Sequence, residues 1–492
     1  MFPSRPPYEP RQAVLRLRAG AFADAYKEAT MSDQRSQERL SRRSFLRLAG
    51  AGAIGAVALA ACGQAPPAAA PGGAAPAADA TAGAAAPASA SQPFAGRELT
   101  LFSAQHHAAH VKDVYVPLFT ERTGAKVNWI EVGGGDVEAK YAVFVASEDA
   151  SADVLIGWEA INAKYGPTLF EDITTSVKPE LVAGLTPASK RAFTFLDKQY
   201  GMPLDTNMAI FMWNSDLYKA AGLDPAVPPQ SWAEFVDHSK KLSGDGKYAT
   251  LFTLGDANSG FVTFISIYNS TGGTLLSPDL RTLTVDDQYG LMAMEAIHDI
   301  FVVSKVADPA GVTVASSIEQ GKIFRAGNMG HYFAFPNHFV LAETPDQSQI
   351  VGKARTGIIP GIALRSGSVN GLEGYAINRF SGNKELGMAF LEHIVSPEVQ
   401  KLVATGWGRP PSVQAIFGDA DVVAKAPQFA AVQEQTKYPS PRYGSPFYTD
   451  LAAVFVEQTL AVIDGTASPQ EALTKIQADG QKVIDDYWAK AS

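Results

Sequence analysis

Between residues 63 and 96 almost every position is Ala, Pro, Gly, Ser or Gln. Such a stretch has no apolar periodicity to bury and too little side chain to offset the entropy of ordering its backbone, so a flexible or partly extended tether is expected over residues 62–96. It divides the chain of 492 residues into a leader, residues 1–61, and a folded part, residues 97–492. The folded part is long enough for more than one domain, and an apolar content of 46% over the whole chain supplies a sizeable core. Charge divides at the same place. The leader carries ten Lys and Arg against five Asp and Glu, and the remainder carries 31 against 45, a balance that makes nucleic acid an unsuitable partner for the folded part.

In the leader, Ser41-Arg42-Arg43-Ser44-Phe45-Leu46-Arg47 precedes a weakly apolar run over residues 48–61, which ends in Leu59-Ala60-Ala61-Cys62. The run is too short to cross a hydrocarbon core of ~30 Å comfortably, which favours a removable signal over a membrane-spanning helix. The pair Arg42 and Arg43, Phe45 and the following cysteine together resemble a twin-arginine export signal ending in a lipobox. That resemblance implies cleavage before Cys62, a lipid on its thiol, and anchorage at the outer face of the cytoplasmic membrane, in a periplasm or at a cell surface. Met31 stands where the basic segment of such a signal begins, so translation is expected to start there rather than at Met1. Cys62 is also the single cysteine of the chain, which excludes an intrachain disulfide and any multi-cysteine zinc or iron–sulfur site.

The folded part opens with Arg97-Glu98-Leu99-Thr100-Leu101-Phe102-Ser103, a strand pattern, then an apolar helical segment over residues 111–119. Residues 125–132 alternate like a second strand, and Ala152-Asp153-Val154-Leu155-Ile156-Gly157 reads as a buried one. Strands alternating with helices point to an α/β fold with a mostly parallel sheet. Later helices carry clear start signals: a capping box at Ser231-Trp232-Ala233-Glu234, Pro at the first helical position in Ser396-Pro397-Glu398, and both devices in Ser468-Pro469-Gln470-Glu471. Leu386, Phe390, Leu391, Ile394 and Val395 make a core-facing stripe. Trp232, inside its capping box, and Trp129 and Trp213, in apolar strand-like runs, are expected to pack structurally.

Tyr200-Gly201-Met202-Pro203-Leu204-Asp205-Thr206-Asn207 leads through residues 210–218 to Ala221-Gly222-Leu223-Asp224-Pro225 and then to Pro229-Gln230-Ser231-Trp232. With the later blocks Phe324-Arg325-Ala326-Gly327-Asn328-Met329-Gly330, Gly374-Tyr375-Ala376-Ile377-Asn378 and Gly406-Trp407-Gly408-Arg409-Pro410-Pro411, this order is similar to family 1 of the extracellular solute-binding proteins, which includes the maltose-binding proteins of ABC importers. The resemblance implies a type II periplasmic-binding-protein fold: two α/β lobes of discontinuous sequence, joined by crossover strands, with the ligand between them. It places the crossovers near residues 205–207, 331–336 and 367–373, the N-lobe at 97–205 plus 334–372, and the C-lobe at 206–333 plus 373–492. It implies a monomer that closes on a small solute, expected to be a mono- or oligosaccharide, and delivers it to the transmembrane permease subunits of an importer, without a cofactor or catalysis.

A sugar needs paired donors and acceptors for its hydroxyls and aromatic faces for its C–H groups, converging in a concave space at strand ends. Candidates on that ground are Gln105 and His106 after the first strand, Trp158 and Glu159 after the third, Asp205 and Asn207 at the first crossover, Tyr332, Phe333 and Phe335 at the second, and Trp407 and Arg409 in a Gly-flanked loop. Each has a plainer reading as a cap, a turn or core. His106 and His110 are four residues apart and could grip a metal on a helix, but no carboxylate adjoins them, so no metal is expected. Alternatives stay open: the same fold could bind a polyamine, a metal ion or an organic acid, or serve as a sensor, or the chain could be an exported carbohydrate-active enzyme. No Gly-x-Ser-x-Gly, His-Glu-x-x-His or phosphate-loop motif supports the last.

Overall fold

A computed structural model describes residues 92–105, 110–133 and 136–491. Arg42, Arg43, Cys62, His106 and the tether before Gln92 lie outside the described residues.

The first body is built on a five-stranded sheet. β1 (Glu98–Ala104), β2 (Lys126–Val132) and β3 (Val154–Trp158) form its parallel part, with β1 between the other two. These are the three strands expected from their apolar patterns, within two residues at each end. The apolar segment after β1 is helical as expected, as one π-turn (Val111–Tyr115) running into an α-helix (Val116–Thr123) that Gly124 ends with a φ of 73°. A small hairpin of β4 (Thr194–Phe195) and β5 (Lys198–Gln199) precedes β6 (Met202–Pro203), the far edge of the main sheet. Leu101, Leu155 and Ile156 are sealed in the same core as the helix Lys384–Ile394, whose Leu386, Phe390, Leu391 and Ile394 are fully buried. Each such side chain contributes roughly 1.5–3 kcal/mol of burial. Trp129 departs from expectation: β2 is an edge strand, so its ring is half-buried, with the Lys112 amine 4.8 Å from its centroid.

The second body holds a three-stranded antiparallel sheet, with β7 (Ile210–Asn214) between β8 (His331–Ala334) and β9 (Ala354–Gly357). A helical layer including Ala257–Tyr268, Gln288–His298, Tyr448–Ile463 and Pro469–Ala491 packs through Phe261, Phe264, Phe455 and Leu473. The box at Ser468 forms with reciprocal bonds to Glu471, while at Ser231 the hydroxyl accepts from the Glu234 amide and the Glu234 carboxylate accepts from the preceding Gln230 amide. Trp232 and Trp213 are buried.

Finally β10 (Glu373–Ile377) returns to the first sheet, inserted antiparallel between β3 and β6. This corrects the expected division. Residues 334–372 were assigned to the N-lobe, yet β9 is bonded to β7 in the second body; residues 373–492 were assigned to the C-lobe, yet β10 and the helix Lys384–Ile394 belong to the first. The source of the error is residues 331–336, expected to cross between lobes, whose strand instead pairs with β7 along four residues. A strand that enters a sheet and a strand that links two sheets have the same local pattern.

Three segments do cross. Residues 204–209, 368–373 and 438–444 run side by side: the Gly371 amide donates to the Asn207 carbonyl at 2.7 Å, Ala209 to Val369 at 3.0 Å, and Asn370 to Ser440 at 3.1 Å. The first and second of these were expected as crossovers; residues 438–444 were not.

Candidate functional site

The chain leaves β1 toward β2 on one side and leaves the adjacent parallel strand β3 toward the other side of the sheet, so a crevice opens beyond the carboxyl ends of these strands. A cavity of about 720 Å³ has walls from both bodies. The first body supplies Glu138, from the helix Val137–Ser147, Trp158, the last residue of β3, and Glu373, the first residue of β10. The second supplies Asp256 and Asn258, at the start of the helix Ala257–Tyr268, Arg442 from the third crossing segment, and Tyr448 and Thr449 from the start of the helix Tyr448–Ile463.

The polar groups of this wall are held in place by one another. Arg442 Nη2 donates to Asn258 Oδ1 at 2.9 Å, its Nη1 to the Asn370 carbonyl at 3.4 Å, and its Nε to the Tyr448 hydroxyl at 3.4 Å. That hydroxyl in turn donates to Asn258 Oδ1 at 3.1 Å, and the guanidinium carbon stands 5.9 Å from the Tyr448 ring centre. Asp256 caps its helix through the Ser259 amide at 2.7 Å. Glu138 accepts from Lys164 at 2.7 Å and, across the gap between bodies, from the Thr449 hydroxyl at 3.0 Å. The arrangement offers two aromatic faces, Trp158 and Tyr448, from opposite bodies, with fixed donors and acceptors around them.

Of the candidates named from sequence that fall among the described residues, Trp158 alone lines this cavity. Glu159 turns to the crossing segments: one carboxylate oxygen accepts from Asn370 Nδ2 at 2.7 Å and the other from the Gly444 amide at 3.4 Å. Asp205 and Arg409 pair with each other at 3.0 Å, both nearly sealed from solvent. Burial lifts the Asp205 carboxyl to about 6, against the pull of the Arg409 guanidinium. Asn207 donates its amide to Asp205 Oδ1 at 3.3 Å and is buried. Gln105 is exposed just beyond β1. Trp407 is the last residue of a helix (Pro397–Trp407) rather than part of a loop; the residue is 37% exposed and its ring lies 6.1 Å from that of His110.

Tyr332, Phe333 and Phe335, expected near the cleft, are absent from its wall. Tyr332 is fully buried against Phe324 and His338, with its hydroxyl donating to the Ser317 carbonyl at 2.9 Å. Phe333 packs against Phe211, Phe235 and Phe252, and Phe335 lies over Gly371, where a Cβ would come within 2.6 Å of its ring. For Tyr332 and Phe333 the physical reason is again β8: a strand paired with β7 presents its side chains to the cores on both faces of the sheet.

Among the wall residues that the sequence did not single out are Asn258, Glu373, Arg442 and Tyr448. A signal existed for two of them, since Ser440-Pro441-Arg442-Tyr443-Gly444-Ser445-Pro446-Phe447-Tyr448 places a cation and aromatics in a Pro- and Gly-punctuated segment. Nothing local distinguishes Glu373 or Asn258.

The sequence pattern of the family described as bacterial extracellular solute-binding protein matches residues 107–401. A probable amino-acid ABC transporter periplasmic-binding protein of Sinorhizobium fredii is 24% identical over 354 residues, 70% of this chain and 79% of that protein. A probable ABC transporter-binding protein of Deinococcus radiodurans is 22% identical over 390 residues, 75% of this chain and 89% of its own length. Among solved structures, maltose-bound MalE3 of T. maritima superimposes with a TM-score of 0.70 at 22% identity, covering 79% of this chain and 99% of that one. A ribitol-bound solute-binding protein of Agrobacterium radiobacter K84 gives 0.67 at 19%, covering 80% and 100%. The fold is therefore the two-lobed architecture of MalE-like binding proteins.

Proposed function

Because the chain belongs to the bacterial extracellular solute-binding proteins, whose pattern spans more than half of it, we propose that its cargo is a mono- or oligosaccharide, captured in the cavity between the two bodies and handed to an ABC permease. The observation that carries this reading is the pair of rings, Trp158 from one body and Tyr448 from the other, flanking polar groups already oriented by Asn258 and Arg442. Sugar rings present C–H faces and hydroxyls together, which such a wall satisfies together. A volume of about 720 Å³ lies within the usual range for small-molecule sites and leaves room for more than one sugar ring. Ligand contact with both walls favours the closed arrangement over the open one, the differential affinity that signals loading. Bound polyols and sugars in the structural neighbours agree with this cargo. In the same reading the chain is exported through its Arg42–Arg43 signal, held at the membrane by a lipid on Cys62, and performs no turnover.

Thermal unfolding of the chain against maltose, other mono- and oligosaccharides, polyols, amino acids, spermidine and metal ions tests the cargo. A ligand at a hundred times its Kd stabilises the folded state by about 2.7 kcal/mol, so a rise confined to one sugar class supports the reading. A response to amino acids or spermidine alone refutes it. Partition of Cys62→Ser into the soluble fraction tests the anchor.

A further inference from the structure

The two bodies meet at a point that is not part of the cavity wall, and its geometry is unusually tight. The Gly444 amide of the second body faces the Glu159 carboxylate of the first, and a Cβ added at Gly444 would stand 2.5 Å from Glu159 Cγ, 2.8 Å from its carbonyl carbon and 2.9 Å from its carbonyl oxygen. Two of those three atoms are backbone at the start of the helix Glu159–Leu169, so no rotamer change relieves the overlap. The chain is brought there under strain: Tyr443, immediately before, has a φ of 57°, a left-handed conformation unfavourable for a bulky residue. Its ring is pinned in turn, with the hydroxyl donating to Asn269 Oδ1 at 2.9 Å, and the Asn269 side chain donates to the Pro441 carbonyl at 2.9 Å. Segment 441–444 is thus fixed to the second body, while Glu159 is fixed to the first and also holds Asn370 of the middle crossing segment at 2.7 Å.

We propose that Gly444 is the closure stop of this protein, the position that sets how far the bodies can approach, and that the Glu159 carboxylate is the catch that holds them there. A side chain at 444 wedges the bodies apart and a neutral or shortened residue at 159 loosens them, each without touching a cavity-lining group. The Glu138–Thr449 bond at 3.0 Å is a second tie between the bodies, at the cavity wall. The proposal rests on the reading that the cavity between the bodies is the binding site, but the conformational part of its test needs no ligand.

The full chain carrying Cys62→Ser has no other cysteine, so spin labels at Thr175→Cys on the first body and Glu295→Cys on the second, both exposed, report one distance between them. Gly444→Ala is expected to lengthen that distance in the ligand-free protein by several ångström and, with maltose as probe, to lower affinity at least tenfold. Glu159→Gln and Thr449→Val are expected to broaden the distribution toward longer distances by smaller amounts. An unchanged distribution in a folded Gly444→Ala protein overturns the proposal. Should that variant fail to fold, Glu159→Gln and Thr449→Val decide, and an unchanged distance in both overturns it. Maltose failing to bind the unsubstituted chain counts against the cargo assigned above and leaves the distance measurement standing.

Discussion

Around Trp158 and Tyr448, rings stand at the wall of a cavity and the polar atoms between them keep bonding capacity toward open space. Around His331 and Tyr332, on β8 of the second body, the same kinds of side chain are closed off. There His331 Nε2 meets the Tyr218 hydroxyl at 2.7 Å and Nδ1 the Ser239 hydroxyl at 2.9 Å, with Phe211 and Phe235 packed on the ring. Chemically the clusters are near relatives. The difference lies in who supplies the partners: the buried cluster completes its bonds within the protein, as a sealed polar group must, while the cavity wall holds its groups in fixed directions and leaves capacity over. Substitution in one should therefore move stability and in the other binding.

The largest effect that would break this contrast is at Tyr332. Tyr332→Ala removes a fully buried ring and leaves the Ser317 carbonyl without its donor, at an expected cost of about 3–5 kcal/mol in unfolding free energy, read from the urea midpoint. Affinity per folded molecule should not change. A loss of binding larger than the loss of stability would mean that β8 reaches the cavity after all.

Acid should separate the regions next. Burial holds His338 at about 3 and His393 at about 4, and pushes the His331 imidazole well down too. Each is far below the ~6.5 of an unfolded histidine, so the unfolded chain binds more protons and stability is lost as pH falls through 6.5 toward those values. Between pH 7 and 5 each of His338 and His393 withdraws roughly 2 kcal/mol. Asp205 works in the opposite sense, because its folded value near 6 lies above that of an unfolded carboxyl, and it returns roughly 1 kcal/mol over the same interval. His338, His393 and Asp205 together give a net fall of about 3 kcal/mol in unfolding free energy, to which the His331 imidazole adds in the same direction, and Asp205→Asn should make the fall steeper. A pH-independent urea midpoint would show that these histidines are not the sealed groups described here.

How far these roles could be read in advance depended on whether they were local. The stripe ending at Ile394 and Val395, the caps at Ser231 and Ser468 and the three first strands follow from side-chain spacing and appear where spacing put them. Lobe membership does not, because β9 and β10 are assigned by hydrogen bonds to partners more than a hundred residues away, and neither carries that address in its own residues. The same limit explains the site. Trp158 was legible as a ring at the end of a buried strand, whereas Tyr332 had equal claims until its pairing with β7 was known, and Arg409 could not be seen to be occupied by Asp205.

Trp158→Ala should be the converse of the Tyr332 substitution. The ring is half-buried, so its loss should cost no more than about 1 kcal/mol in stability. Removing one face of the cavity should weaken sugar binding by about 2 kcal/mol, roughly thirtyfold by titration calorimetry. Stability and binding falling together by similar amounts would erase the contrast between the clusters.

The finest distinction lies within Tyr448, which contributes both a ring and a hydroxyl. Tyr448→Phe keeps the ring against Phe261, whose centre is 5.4 Å away, and removes only the oxygen that bridges Arg442 Nε and Asn258 Oδ1. Asn258 still holds Arg442 Nη2 at 2.9 Å, so the guanidinium keeps its place with one restraint fewer. The expected loss is about 1 kcal/mol of binding, less than tenfold in Kd, with the enthalpy of binding made less favourable as the wall becomes less fixed. An unchanged Kd would assign recognition to the ring alone. A loss beyond a hundredfold would require the hydroxyl to touch the sugar itself, moving Tyr448 from a residue that orients Arg442 to one that the ligand bonds directly.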